Sequence, residues 1–217
     1  MRAALYDFDG TLRPRDSIVE WVAYARKRGV ISVWEWLRIT CYAAYGKVTR
    51  MEMRRIKSRA LRFEGGLTRA QIRRLARDFT REVVMPKVTR EGLASWERDG
   101  QEGYVRLLVS ASTSDYMPDV SRAMGADMLI CTEVSPEGIV AENCRGPVKA
   151  QRLKEWRDSL PESDRPDFAK CRAYGNSTGD IDMLALCGEA HLIGNSRKAL
   201  KACSDRGIHV IRGFARP

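Results

Sequence analysis

Two aspartates follow a short apolar run near the start of the chain, and they constrain its fold more than any other segment. The run Ala3-Ala4-Leu5-Tyr6 predicts a buried strand, and Asp7-Phe8-Asp9-Gly10-Thr11 follows it directly. In an open α/β sheet, ligands bind at the carboxyl ends of the strands. Two acids at such an edge can divide two tasks, because one can attack or hold a metal while the other exchanges protons with a leaving group. The alternative for this segment alone is an ordinary Asp-Gly turn.

Strand-like runs alternate with helical patterns in the second half of the chain. Apolar runs predict strands at about 105–109, 128–134, 171–174, 190–193 and 208–211. Helical patterns lie between them at about 115–124, 149–159 and 180–187. Strands that alternate with helices predict a parallel sheet, so we expect an α/β protein.

Residues 15–98 contain no strand-like run and predict an all-helical insertion. Two capping-box patterns predict helix starts within it, Ser17-x-x-Glu20 and Thr68-x-x-Gln71. Glycines separate the predicted helices. The α/β part of the chain is therefore expected to be interrupted by a helical segment.

An aromatic helix is predicted inside this insertion at residues 30–45, with its end at Gly46. We expect Trp34, Trp36 and Tyr42 to pack in the core of the helical segment. The alternative is an interfacial helix, because an apolar aromatic face beside positive charge is typical of helices that lie on membranes.

Positive charge is concentrated in one part of the chain. The formal net charge is +10, and residues 12–100 hold 21 Lys and Arg against 10 Asp and Glu. Such a segment attracts anionic partners, which include a phosphorylated substrate, an acidic lipid surface and nucleic acid. The alternative is a solvated, arginine-rich helical face. No recognised nucleic-acid module accompanies the charge, so we expect no nucleic-acid partner.

The cysteine, histidine and apolar patterns argue against several classes of protein. The six cysteines are scattered without a Cys-x-x-Cys pair, which indicates free thiols in a reducing cytosol. Only His191 and His209 occur, so a histidine-based triad or a zinc hydrolase is poorly supported. No uncharged apolar run of 18 residues occurs and no signal-peptide pattern begins the chain, so we expect a cytoplasmic protein without a transmembrane segment.

Further polar groups lie at predicted strand ends and helix starts. Ser110 follows a predicted strand, where small residues with free amides can hold phosphate oxygens. Lys149 lies in a loop that enters a helix, where it can neutralise a phosphate or clamp a carboxylate. Asn176 and Asp180 follow another predicted strand at the same edge of the sheet. Taken singly, each group also fits a helix cap, a turn or a surface lysine.

In this order, the four segments closely resemble the haloacid dehalogenase superfamily in its phosphoserine-phosphatase-like branch. The resemblance covers about residues 3–195. It implies a doubly wound, Rossmann-like parallel sheet built from residues 1–14 and 99–217. It also implies that residues 15–98 form a helical cap domain above the strand ends.

The resemblance also implies a role for each site residue. Asp7 is expected to be the nucleophile that forms an aspartyl-phosphate, and Asp9 the general acid and then base, with its main-chain carbonyl on Mg²⁺. Ser110 is expected to hydrogen-bond the phosphoryl group, and Lys149 to steady Asp7 and the phosphate charge. Asp180 belongs to the implied Mg²⁺ site, to which Asp7 also contributes. A carboxylate that attacks a phosphate dianion meets strong repulsion, which the metal, the lysine and oriented amides must offset.

Asn176 departs from the family pattern, which usually has Asp at this position as a direct metal ligand. An amide oxygen can bind Mg²⁺ but supplies no negative charge. We therefore expect weaker metal affinity, with Asp180 carrying more of the ligation.

The expected substrate contacts are Asp16, Gly10, Thr11, Ala111 and Ser112. Asp16 falls nine residues after Asp7, where phosphoserine phosphatases have an acid that meets the substrate amine, although it could equally cap a helix. Those enzymes favour Ser-Gly-Gly where this chain has Ser110-Ala111-Ser112, which argues against phosphoserine itself.

The function expected from these patterns is a Mg²⁺-dependent phosphatase that hydrolyses a small phosphomonoester. An amphiphilic or lipid phosphate is one candidate substrate, with peripheral membrane contact. One alternative is a phosphotransferase of the same fold, which passes the phosphoryl group to an acceptor other than water. The other is a non-catalytic binder of phosphorylated or anionic ligands through the basic helices.

Overall fold

The computed structural model describes residues 1–135 and 138–214, and within them one parallel sheet of six strands dominates the fold. Its strands in chain order are β1 (Ala3–Tyr6), β2 (Val105–Thr113), β3 (Met128–Thr132), β4 (Arg172–Gly175), β5 (Glu189–Leu192) and β6 (Ile211–Arg212). The strands lie in the order β3-β2-β1-β4-β5-β6. This arrangement confirms the predicted α/β class with a parallel sheet.

Helices precede or connect most of the strands, and those in the described residues are α1 (Ser17–Lys27), α2 (Val33–Val48), α3 (Met53–Leu61), α4 (Arg69–Phe79), α5 (Arg90–Gln101), α6 (Met117–Met124), α7 (Pro147–Ser159), α8 (Ile181–Leu184) and α9 (Arg197–Asp205). Short 3₁₀ turns and one π turn at Thr80–Val84 join some of them. Helices α1 to α4 fall inside the predicted insertion. Its predicted end at residue 98 falls within α5, and the division of the chain into two domains stays a prediction.

Strand β1 lies at the centre of the sheet and fixes where a ligand can bind. It pairs with β2 on one side and with β4 on the other. The chain therefore first winds outward through β2 and β3 and then in the opposite direction through β4, β5 and β6. A crevice opens at the carboxyl ends of strands where the winding direction reverses.

Both faces of the sheet are buried, which explains why β1 is apolar without interruption. Because strand side chains alternate, Ala4 and Tyr6 join one core while Ala3 and Leu5 join the other. The first core receives α1, α5 and α6, and the second receives α7, α8 and α9. A parallel sheet covered on both faces is expected to have strands of this kind.

The two predicted capping boxes have different outcomes. The box at Thr68 and Gln71 is confirmed at the start of α4. The box at Ser17 and Glu20 is wrong, because Asp16 caps α1 through a hydrogen bond that it accepts from the amide of Ile18 at 3.0 Å. The Ser17 hydroxyl is instead turned toward the sheet, and the Glu20 carboxylate pairs with basic side chains.

Helix α2 corrects two predictions for the aromatic segment. It continues through Gly46 to Val48, and Gly46 is buried against α3, where a Cβ would lie 2.7 Å from Ile56 Cδ1. The glycine therefore permits close packing of two helices and does not end one. Trp36 is partly buried under the guanidinium of Arg26, but Trp34 is 76% exposed, so the prediction that it packs in the helical core is wrong.

Some boundaries differ from their predictions because tertiary contacts set them. Strand β2 runs on through Ser110 to Thr113, with a shift of register against β3 between Val109 and Thr113. Strand β6 begins at Ile211, three residues later than predicted. All six cysteines are free, as predicted. No helix in the described part of the chain has the length and apolar character needed to cross a membrane.

Candidate active site

A cavity of about 490 Å³ lies at the carboxyl ends of β1, β2 and β4. Ten of the eleven predicted site residues line it, namely Asp7, Asp9, Gly10, Asp16, Ser110, Ala111, Ser112, Lys149, Asn176 and Asp180. The eleventh, Thr11, is buried beside them and donates its hydroxyl to Asp7 Oδ2 at 3.0 Å. The structure therefore brings together residues that are up to 173 positions apart in the sequence.

A buried lysine joins two buried carboxylates at the base of this cavity. Lys149, in the first turn of α7, places Nζ 2.6 Å from Asp7 Oδ1 and 2.7 Å from Asp180 Oδ1. All three side chains are almost completely inaccessible to solvent. Charge-assisted hydrogen bonds of this length hold both carboxylates in fixed positions.

The charges at the base of the cavity are unevenly balanced, because one ammonium faces two carboxylates. Burial, followed by the nearby Asp180 carboxylate, raises the pKa of Asp7 to about 7. Burial alone would lower the pKa of Lys149, but Asp180 and Asp7 raise it well above its ordinary value. The excess of one negative charge favours binding of a further cation beside Asp7.

Asp9 is held separately from this group by two serine side chains. Its Oδ1 accepts a hydrogen bond from the Ser17 amide at 3.0 Å, and its Oδ2 accepts the Ser17 hydroxyl at 2.6 Å and also the Ser112 hydroxyl. Burial raises the pKa of Asp9, which favours the protonated form that a general acid needs. Ser17 was missed as a site residue, because its pattern with Glu20 predicted a helix cap.

Lys57 of α3 connects the helical segment to the end of β2. Its ammonium donates to the Ala111 carbonyl at 2.5 Å and to Asn143 Oδ1 at 2.8 Å. Burial lowers the pKa of Lys57 to about 8. No sequence signal separated this residue from the other basic residues of the insertion, although it lines the same cavity.

Close packing surrounds Asn176 and Asp180 at the end of β4. Asp180 Oδ2 accepts hydrogen bonds from the amides of Asn176 at 3.2 Å and Ser177 at 2.9 Å. The Asn176 amide lies against Gly10, where a Cβ would be only 1.8 Å from Nδ2. Gly10 also has a φ of +85°, so both its backbone and its neighbour require glycine.

The residues around Asp7 form a donor set that fits a magnesium ion. Carboxylate, amide and main-chain oxygens are the ligands that Mg²⁺ prefers, and the buried charge is net negative. The Asn176 side chain has no hydrogen-bond partner within the described ranges, so its amide is free to serve as a ligand. No cluster of three or more His, Cys, Asp or Glu side chains suited to a metal occurs in the described part of the chain. A bound ion would therefore also need amide, main-chain and water oxygens.

Asp16 occupies a position that is compatible with both of its predicted roles. It caps α1, as described above, and it also lines the cavity from the solvent side. Arg145 also lines the cavity, and its exposed side chain packs over Gly179. The cavity therefore carries charged groups of both signs around its mouth as well as at its base.

Comparison with known proteins finds one matching family model and several relatives in sequence. A family model described as haloacid dehalogenase-like hydrolase matches residues 4–185. Protein CicA of Caulobacter vibrioides is 32% identical over 198 residues, which are 85% of this chain and 82% of that protein. A probable phosphatase of Mycobacterium tuberculosis is 27% identical over 227 residues, covering 99% of this chain and 76% of that protein.

A solved structure of phosphoserine phosphatase in its apo form shares the fold. It superposes with a TM-score of 0.63 and 18% sequence identity, covering 99% of this chain and 94% of that one.

Proposed function

We propose that this chain, which belongs to the haloacid dehalogenase-like hydrolase family, is a Mg²⁺-dependent phosphatase that acts through an aspartyl-phosphate on Asp7. The family and the phosphatase relatives support a phosphatase; the metal and the covalent intermediate are our proposal. One observation carries it. Asp7 is buried, is hydrogen-bonded by Lys149 and Thr11, and lines the same cavity as Asp9.

In the first step, an Asp7 carboxylate oxygen attacks phosphorus, and the bond between phosphorus and the leaving-group oxygen breaks. Asp9 gives its proton to that oxygen, so an alcohol leaves. In the second step, Asp9 takes a proton from water, and the water oxygen attacks phosphorus. The phosphorus bond to Asp7 breaks, and inorganic phosphate and the free Asp7 carboxylate are restored.

Fixed hydrogen-bond donors stabilise the charge that develops on the phosphoryl oxygens. The Lys149 ammonium already lies at Asp7, and Ser110, whose hydroxyl oxygen accepts the Ser112 amide at 3.0 Å, lines the same cavity. Donors that need no rearrangement during the reaction are the most effective stabilisers of such charge. Lys57 acts as a positioning residue here, because it fixes the Ala111 carbonyl at the end of β2.

Asp7, Asp180, the Asn176 amide oxygen and the main-chain carbonyl of Asp9 would hold the magnesium ion. When bound, the ion would screen the repulsion between the Asp7 carboxylate and the phosphate dianion. The distances from Lys149 to both carboxylates indicate that the lysine would share them with the metal.

The helical segment at 15–98 is proposed to act as a cap that selects the substrate. Ile18, Met53 and Lys57 from this segment line the cavity together with residues at the strand ends. The volume of the cavity suits a small phosphomonoester. Six free cysteines agree with a reducing compartment, and we propose a cytoplasmic location.

Replacing Asn176 by Asp is expected to strengthen magnesium binding. The two side chains have the same shape, so the variant fits beside Gly10. A unit negative charge about 4 Å from a divalent ion is worth about 2 kcal/mol even at the dielectric constant of water, so half-maximal activity should need about 30-fold less Mg²⁺. The measurement is a magnesium titration of activity. Asn143→Asp is the matched control, because it adds the same charge to the same cavity beside Lys57 and Thr132, and it should shift the titration less. An unchanged magnesium titration in Asn176→Asp would count against Asn176 as a ligand.

Replacing Asp9 by Asn is expected to lower the rate by an amount that depends on the leaving group, which distinguishes a proton donor from a nucleophile such as Asp7. Loss of general acid catalysis typically costs about 10²–10⁴-fold in rate. The loss should be large for an alkyl phosphate, whose leaving alkoxide needs a proton, and much smaller for a nitrophenyl phosphate, whose leaving phenoxide is stable. The ratio of kcat/KM values for the two substrates gives the result, because kcat/KM reports only the steps up to departure of the alcohol, whereas kcat also includes the second step, in which Asp9 acts as base for both substrates. Equal losses for both substrates would exclude Asp9 as the proton donor.

The proposed activity itself is tested with a panel of amino-acid, sugar and lipid phosphates, assayed for phosphate release with Mg²⁺ and again with a chelator. We expect magnesium-dependent release from at least one member. Adding an acceptor alcohol identifies a phosphotransferase, because the phosphoryl group would then appear on the alcohol and little free phosphate would form. If no compound is turned over under either condition, the proposal fails and the non-catalytic alternative is favoured.

A further inference from the structure

Helix α2 leaves most of its apolar side chains in solvent. Of its 16 residues, Ile39 and Gly46 are buried, whereas Trp34 is 76%, Tyr45 is 60% and Val48 is 83% exposed. Leu37 and Cys41 are also exposed. Isolated exposed apolar side chains are normal, but a contiguous set indicates an interaction surface.

These exposed residues form one continuous stripe. We use the term apolar stripe for Trp34, Leu37, Cys41, Tyr45 and Val48, which follow one another at intervals of three or four residues. Residues at that spacing lie on one face of a helix, and the stripe extends over about 20 Å. Ile39 and Gly46 lie on the opposite face, where Gly46 contacts α3. The stripe therefore faces away from the rest of the chain.

The charge around the stripe favours an anionic partner. Arg38, on the edge of the stripe, is largely exposed and lies 3.9 Å from the Glu35 carboxylate, and Lys47 and Arg50 are exposed at the end of the helix. The segment 12–100 holds 21 Lys and Arg against 10 Asp and Glu. A second copy of the chain on this face would bring two such segments together, and their like charges would repel.

We propose that α2 docks in the plane of an anionic membrane surface, with the apolar stripe in the interface and the basic side chains against lipid headgroups. The stripe is nearly straight, and tryptophan and tyrosine at such positions are typical of helices that lie at the headgroup level. A flat bilayer covers a convex helix face of this length without requiring a complementary groove. Docking is independent of the proposed catalysis, since none of the stripe residues lines the cavity.

The test is co-sedimentation of the full chain at low salt with vesicles of phosphatidylcholine alone and of phosphatidylcholine mixed with phosphatidylglycerol. We expect binding to the anionic vesicles only. The double substitution Trp34→Ser and Val48→Ser should weaken that binding at least tenfold. The matched control is the pair Val19→Ser and Leu200→Ser, which removes exposed apolar side chains from α1 and α9 and should bind as the unmodified chain does. The Asp7→Asn variant should also bind, whatever its activity.

Three results would overturn the docking proposal. The first is absence of binding to anionic vesicles at low salt. The second is binding that the double substitution at Trp34 and Val48 leaves unchanged, because charge alone would then explain it. The third is a dimer in light scattering that the double substitution dissociates, because a second copy would then cover the stripe. None of these results bears on phosphate release, so they are distinguishable from failure of the proposed function.

Discussion

Replacing Asp7 by Asn is expected to reduce kcat/KM by at least about 10³-fold on any substrate that the panel identifies, because loss of a covalent nucleophile removes the reaction path itself. The amide has the same shape and can still accept the hydrogen bond from Lys149. It lacks the negative charge and the nucleophilic oxygen. Substrate binding should therefore persist while turnover is lost.

A measurement of stability distinguishes loss of the nucleophile from misfolding of the Asp7→Asn variant. Burial raises the pKa of Asp7, so its carboxylate is costly to keep ionised in the folded chain, and Asp7→Asn should be at least as stable as the unmodified protein. Asp99→Asn is a suitable control, because Asp99 on α5 is also buried but accepts hydrogen bonds from Tyr6 and Arg172 and does not line the cavity. Its folded fraction should retain activity. An active Asp7→Asn enzyme would exclude Asp7 as the nucleophile.

Replacing Lys149 by Met is expected to lower the free energy of unfolding by about 3–5 kcal/mol and to abolish turnover. Removing one partner of a buried ion pair leaves an uncompensated charge in the interior, and here two carboxylates lose the same partner. The measurement is urea unfolding at neutral pH. Lys154→Met, on the exposed face of the same helix, should change stability by less than about 0.5 kcal/mol.

A second substitution and a pH series test the cause of that loss. Asp180→Asn combined with Lys149→Met should recover part of the stability and none of the activity, because one of the two unpaired charges is gone. The loss in Lys149→Met should also shrink as pH falls, since protonation of Asp7 and Asp180 removes the uncompensated charge. A loss below about 1 kcal/mol that does not vary with pH would contradict the charge balance derived for the site.

The position of the site could be predicted from the sequence, because the site lies at the carboxyl ends of strands. The apolar run before Asp7 and the run before Ser110 each predict a strand, and parallel strands present their carboxyl ends at one edge. Both segments, together with Lys149 and Asp180, do line one cavity. Only the order of strands and helices is needed for this prediction, and local apolar patterns indicate that order.

The contacts that complete the site depend on packing that no local pattern records. Ser17 matches a capping box by sequence, yet its hydroxyl bonds to Asp9 and Ser112 because α1 begins over the end of β2. Lys57 reaches the Ala111 carbonyl across 54 positions of sequence, and nothing in its neighbourhood distinguishes it. Gly46 was predicted to end a helix, whereas it lets Ile56 of the next helix approach.

The measurement that tests the central claim most directly is to trap the phosphorylated enzyme. An active substrate is mixed with the protein, the reaction is quenched within a single turnover, and borohydride then reduces any acyl phosphate so that mass spectrometry can locate the modified residue. We predict that borohydride reduces the side chain of Asp7 alone, and that no side chain is reduced in the Asp7→Asn variant. Modification of a different residue, or turnover at full rate with Asp7 never modified, would contradict the account.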